Sequence, residues 1–190
     1  YCFNREGSIY ENPLSKADVC TLLQNAAALR RAVSVATRER MLANGKDEDL
    51  VQYYAFAREE VEVAEDFDRV VQNDTIFQAM LSCREEEYPA LLRGMKNAKI
   101  AAWWDRAADV IPASGGKGTG VERVLAHYGL AKEDSVAFGD GNNDIEMFAA
   151  AGLGVAMENA SERLKQVAGA VCPHVARDGV YLFCRKRGLI

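Results

Sequence analysis

Phe138-Gly139-Asp140-Gly141-Asn142-Asn143-Asp144 decides how this chain of 190 residues is read. The stretch stands at the exit of an apolar strand, Ser135 to Phe138, and at the start of a helix, Asn143 to Ala151. Open parallel sheets bind ligands at the carboxyl ends of their strands, so topology alone sets Asp140 in an active-site crevice. Gly139 and Gly141 let the backbone turn sharply there. Asp140 and Asp144 can converge on one hard cation, and magnesium suits a site with one or two carboxylates, several waters and a substrate phosphate. Asn143 is then a neutral donor for a phosphate oxygen. A plainer reading stands beside this one, with Asp144 as a first-turn acid favouring the helix dipole and Asp140 as a strand-end turn residue. Two look-alikes fail. Asp140, Asn142 and Asp144 imitate the opening of a calcium loop, but Ile145 stands where its glycine belongs and Ala151 where its closing glutamate belongs. A dinucleotide fingerprint would need a third glycine in place of Asp144.

Around this stretch the pattern is regular. A helix runs from Gly118 to about Tyr128, and strand Leu153 to Met157, helix Ser161 to Ala168 and the short strand Ala170-Val171-Cys172 follow the quoted motif. Short apolar runs between helices are the mark of a parallel sheet covered on both faces, here half of a doubly wound domain. Just upstream lies Ser114-Gly115-Gly116-Lys117-Gly118-Thr119-Gly120. A nucleotide P-loop would need glycine at Ile111 and Ser or Thr at Gly118, so that reading fails twice. Lys117 nonetheless sits at a helix N-terminus, where a cation opposes the macrodipole by about 0.3 to 1 kcal/mol and a bound anion would reverse the penalty. A residue placed against local preference is a site candidate; the alternative is a solvated lysine on a flexible loop.

The texture changes near Asp109-Val110-Ile111-Pro112. Before it the chain reads as mixed α and β: a hairpin through Tyr1-Cys2-Phe3 and Ser8-Ile9-Tyr10, a helix entered at Ser15 with Val19, Leu22, Leu23 and Ala26 on one face, β segments at Ala32 to Ala36, Thr75 to Leu81 and Lys99 to Trp104, and a helix over Glu85 to Met95. Charge divides at the same place. Residues 1 to 110 carry 14 basic and 19 acidic side chains, and residues 111 to 190 carry 9 of each, so the net charge of -5 lies wholly in the first part. Without clustered Lys and Arg the chain is not a nucleic-acid binder. Charge-free stretches, Val19 to Leu29 and Met147 to Met157 among the longest, are far short of the roughly 20 apolar residues of a membrane span. Five scattered cysteines with no C-x-x-C form neither a disulfide framework nor a zinc site, which makes reduced thiols and a cytoplasmic location the default.

Lys117, then Gly139-Asp140-Gly141-Asn142-Asn143-Asp144, then Gly154-Val155-Ala156-Met157-x-Asn159-Ala160 and Asp178-Gly179-Val180, resemble the Cof-type branch of the haloacid dehalogenase-like phosphatases. The resemblance implies an α/β fold, part of a doubly wound Rossmann-like core with an inserted α+β cap, residues 1–110 being most of the cap and 111–190 the C-terminal half of the core. It implies a magnesium-dependent phosphatase that hydrolyses small phosphorylated metabolites, sugar phosphates above all, through an aspartyl-phosphate. Lys117 would neutralise phosphate and the developing charge as the catalytic cation, Asn143 would contact phosphate with it, Asp140 would ligate Mg2+, and Asp144 would support the metal directly or through water. The family's nucleophile, an aspartate in Asp-x-Asp-Gly-Thr, and the Ser or Thr of its second motif have no counterpart in these residues. Asp47-Glu48-Asp49 follows a Gly-Lys turn, and Asp66-Phe67-Asp68 has no Gly-Thr after it. The chain, which opens on Tyr1, is therefore expected to be a C-terminal fragment, inactive alone and completed by an N-terminal segment or a second chain. A phosphomutase on the same core and a non-catalytic phosphate-ligand sensor are the competing readings.

Overall fold

A computed structural model describes all residues from Tyr1 to Ile190. The chain forms two units, one of Tyr1 with Glu11–Gly115 and one of Cys2–Tyr10 with Gly116–Ile190.

In the first unit, β3 (Val33–Ala36), β4 (Met41–Ala43), β5 (Gln78–Ser82), β6 (Ala98–Trp104) and β7 (Ala107–Pro112) form an antiparallel sheet in the order β4-β3-β5-β7-β6. Alternate residues Val33, Val35, Leu42, Ala79, Leu81, Ala108 and Val110 share one buried core with Val19, Leu22 and Ala26 of α1 (Lys16–Ala28). Helix α1 begins where the sequence places it, because the Ser15 side chain accepts from the Asp18 amide. Helix α2 (Glu48–Phe56) is capped in the same way by Asp47 and buries Leu50 and Tyr54; α3 (Phe67–Asn73) buries Phe67, Val70 and Val71. Neither helix, nor β4, nor β7 as a strand, is foreseen from the sequence. The short β4 and α3 leave little periodicity to read, and Asp47-Glu48-Asp49 is weighed in the sequence only as a nucleophile motif, although Asp47 is the cap of α2. The helix expected over Glu85 to Met95 shrinks to a 3-10 turn, Glu85–Glu87, and the single turn α4 (Tyr88–Leu91), with Pro89 in its first turn and the left-handed Gly94 beyond it. In β6 a register shift between Ala101 and Trp104 lets Trp103 and Trp104 both pack against Tyr53 and Phe56. The tryptophan pair is packing.

The second unit carries β8 (Val136–Gly139), β9 (Leu153–Met157) and β10 (Ala170–Cys172), parallel and in the order β10-β9-β8. Its helices are α5 (Lys117–Tyr128), α6 (Ile145–Ala150), α7 (Glu162–Val167) and α8 (Gly179–Lys186). Ala137, Phe148, Val155, Leu164, Cys172 and Phe183 meet in one core. The hairpin of β1 (Cys2–Asn4) and β2 (Gly7–Tyr10) belongs to this unit rather than to its sequence neighbours. Arg123 of α5 lies over the Tyr10 ring at 4.9 Å, and the Asn4 side-chain amide donates to the Tyr128 hydroxyl at 3.0 Å. The division thus departs from a break after residue 110 at both ends, since residues 111–115 stay with the first unit and the hairpin leaves it. Long-range contacts of this kind have no signature in local sequence. No helix is long and apolar enough to cross a membrane.

Candidate active site

Strand β8 ends at Gly139, and the next residues form a tight turn, the 3-10 segment Asn142–Asp144, before α6. Asp144 folds back beneath that turn and is only 3% exposed. Its Oδ2 accepts the backbone N–H groups of Asp140 at 3.0 Å and Gly141 at 3.1 Å, and its Oδ1 accepts from Lys117 Nζ at 2.5 Å. A Cβ on Gly139 would lie 2.7 Å from the Asp144 side chain, so glycine is what admits the carboxylate. A buried carboxylate is costly unless paired; here an ammonium and two amides pair it.

Lys117 reaches Asp144 because α5 and α6 touch at backbone distance. A Cβ on Gly118 would stand 2.6 Å from the Glu146 carbonyl oxygen, so no other residue lets the two helices approach so closely. The Lys117 side chain remains 50% exposed at the N-terminus of α5, and the ion pair offsets the unfavourable dipole there. Asp140 is exposed at the end of β8, and Asn143, half-buried, follows in the same turn.

The turn after β9 grips this loop from a second side. Asn159 Nδ2 donates to Asp140 Oδ2 at 3.3 Å, the Ser161 N–H donates to the Asp140 carbonyl oxygen at 3.0 Å, and Ser161 Oγ bonds Asn142 Oδ1 at 2.7 Å. Sequence reasoning quotes Asn159 within a motif but gives it no role, and takes Ser161 only as a helix start. The available signal was their position just past the next parallel strand, where loops converge.

The structure therefore gathers Lys117, Asp140 and Asp144 into one loop cluster. Both oxygens of Asp144 are engaged within the chain, whereas Asp140, exposed and held by Asn159 through Oδ2 alone, keeps Oδ1 for a ligand. No three His, Cys, Asp or Glu side chains converge as a metal cage. That donor set fits magnesium, which keeps most of its waters and takes one or two protein carboxylates.

Residues 1–183 match the sequence profile of the haloacid dehalogenase-like hydrolases, and the chain belongs to that family, in its Cof-type branch. The candidate phosphatase YkrA of Bacillus subtilis (strain 168) is 31% identical over 182 residues, spanning 96% of this chain and 70% of that protein. A solved sugar phosphatase of subclass IIB of the superfamily is 26% identical, with a TM-score of 0.86 over 100% of this chain and 73% of its own. A phosphatase of the same superfamily from Bacteroides thetaiotaomicron is 28% identical, with a TM-score of 0.85 over 100% of this chain and 71% of its own. The fold class, an α/β core of this family with an α+β cap, is common to these structures.

Proposed function

We propose that this chain serves the magnesium-dependent hydrolysis of small phosphorylated metabolites, sugar phosphates first among them, in the cytoplasm. The unit of residues 11–115 is read as its cap, and the other unit as part of its core. The observation that carries the reading is the Lys117–Asp144 pair, which fixes an ammonium on the same carboxylate that holds the Asp140 turn at the carboxyl end of a parallel strand. Similarity to a sugar phosphatase over the whole chain supports the substrate class.

An ammonium has three N–H donors. One is held by Asp144, which leaves two for the oxygens of a phosphoryl group, with the Asn143 amide as a further donor. Asp140 would hold magnesium, and the ion when bound would offset the negative charge of the phosphoryl oxygens. Asp144 acts here by aiming Lys117 and shaping the loop. The family reaction needs an aspartate whose carboxylate oxygen attacks phosphorus as the alcohol leaves, followed by attack of water on the aspartyl-phosphate. No Asp-x-Asp-Gly-Thr occurs in these 190 residues, so the chain by itself is expected to bind phosphate without turnover.

Purified chain of verified mass, given magnesium and a panel of phosphomonoesters, should release no phosphate. It should bind inorganic phosphate or vanadate, and Lys117→Ala should weaken that binding by roughly 1.5 to 3 kcal/mol, the worth of a charge-assisted hydrogen bond. Turnover abolished by Asp140→Ala would refute inactivity and keep the site; phosphate binding indifferent to Lys117→Ala would refute the site. The competing reading, a phosphate-ligand sensor, predicts the same binding with no gain of turnover when an Asp-x-Asp-Gly-Thr segment is supplied.

A further inference from the structure

Asn159 carries an amide with a donor end and an acceptor end, and the structure uses both. Its Nδ2 donates to Asp140 Oδ2 at 3.3 Å, and its Oδ1 accepts the Val175 N–H at 3.2 Å, from the 3-10 turn after β10. These partners also fix which way the amide points, because a carboxylate can only accept and a backbone N–H can only donate. An aspartate there would set a second anion against Asp140, and a leucine would satisfy neither partner. Meanwhile the N–H of Asp140 is held by Asp144 and its carbonyl by the Ser161 amide, so Oδ1 is the atom of Asp140 left for a ligand.

We infer that Asn159 is a positioning residue for magnesium: it occupies Oδ2 of Asp140, so that Asp140 offers one oxygen, and it ties that carboxylate to the loop after β10. This rests on the reading of Asp140 as a magnesium ligand. Hydrogen-bond partners of ligating carboxylates typically matter by 10- to 100-fold in metal affinity.

Calorimetric titration of magnesium into the 190-residue chain, with thermal melts of each metal-free variant, tests it. Asn159→Ala should weaken magnesium binding about tenfold or more, with a metal-free melting temperature close to that of the parent. Asn159→Asp keeps the acceptor for Val175 and adds an anion beside Asp140, so it should bind magnesium more tightly and melt lower without metal. Opposite signs at one position mark a residue acting on the metal carboxylate. Equal losses in both variants, or unchanged affinity in Asn159→Ala while Asp140→Ala no longer binds, overturn the inference and leave Asp140 in place. Should Asn159→Ala fail to fold, tightening in Asn159→Asp supports the inference and its absence overturns it. A parent chain that takes up no magnesium, or takes it up equally as Asp140→Ala, overturns the reading of Asp140 itself and the inference with it.

Discussion

Asp18 shows at the scale of one residue how a buried carboxylate organises a loop. It is 3% exposed and accepts the N–H groups of Lys96 at 2.8 Å and Asn97 at 3.3 Å, and the Ser15 hydroxyl at 2.9 Å. Burial pushes its carboxyl up, but these donors together with the nearby Lys96 charge outweigh burial and hold it below the ordinary carboxylate value of 3.8. A carboxyl depressed by folding contributes stability that is complete above its unfolded value and lost as pH falls through the folded one. Asp18→Asn should therefore flatten the acid limb of stability below about pH 4, seen as a smaller loss of urea midpoint on acidification than in the parent. Asp144 performs a similar service within the site, and there the partner it fixes is a lysine rather than a turn. The sequence points to Lys117, Asp140 and Asp144 by type and spacing; that Asp144 spends one oxygen on its own turn and the other on Lys117, 27 residues away in sequence, is seen only in the structure.

Between elements, the decisive contact is that of α5 with α6. Gly118→Ala would force its new methyl to within 2.6 Å of a backbone oxygen, so the helices must part. Overpacking of this kind costs typically 1–3 kcal/mol. The expected outcome is a lower urea midpoint and, in addition, weaker phosphate binding, because Lys117 moves with α5. A loss of stability with phosphate affinity intact would show that Lys117 does not depend on this contact. Strands β8, β9 and β10 and the helices between them were legible because apolar runs alternate with helical ones over the whole segment. Helices α2 and α3 and strand β4 were not, since each is short and takes its stability from burial against the sheet, and the helix over Glu85 to Met95 was overextended because periodicity does not register where a proline and a left-handed glycine confine it.

Across the whole molecule the two units have separate cores, one on an antiparallel sheet and one on a parallel sheet. In the parallel sheet, β8 pairs with β9 on one side and stands at the edge on the other. Its residues, Val136 to Gly139, include no charge or proline, the usual guards of an exposed edge. The chain is expected to self-associate through that edge, so that light scattering gives a mass rising above 20.9 kDa with concentration. Val136→Lys should suppress the rise. A concentration-independent monomer would show that the edge is already protected.

What the sequence by itself determined is whatever is written in consecutive residues: the strand-turn-helix around Asp140, the alternation of strands and helices after it, the capped start of α1, and a motif set specific enough to point to the family. Glycines, carboxylates and a lysine at fixed spacing impose local backbone geometry, and local geometry needs no distant partner. Only the tertiary structure decided that the N-terminal hairpin packs on α5, that β7 lies between β5 and β6, that Trp103 and Trp104 share one face, and that Asn159 and Ser161 hold the Asp140 loop. Each of these depends on groups far apart in the chain meeting at hydrogen-bonding or van der Waals distance, and the free energy that selects them comes from burial and pairing in three dimensions, which no local pattern records.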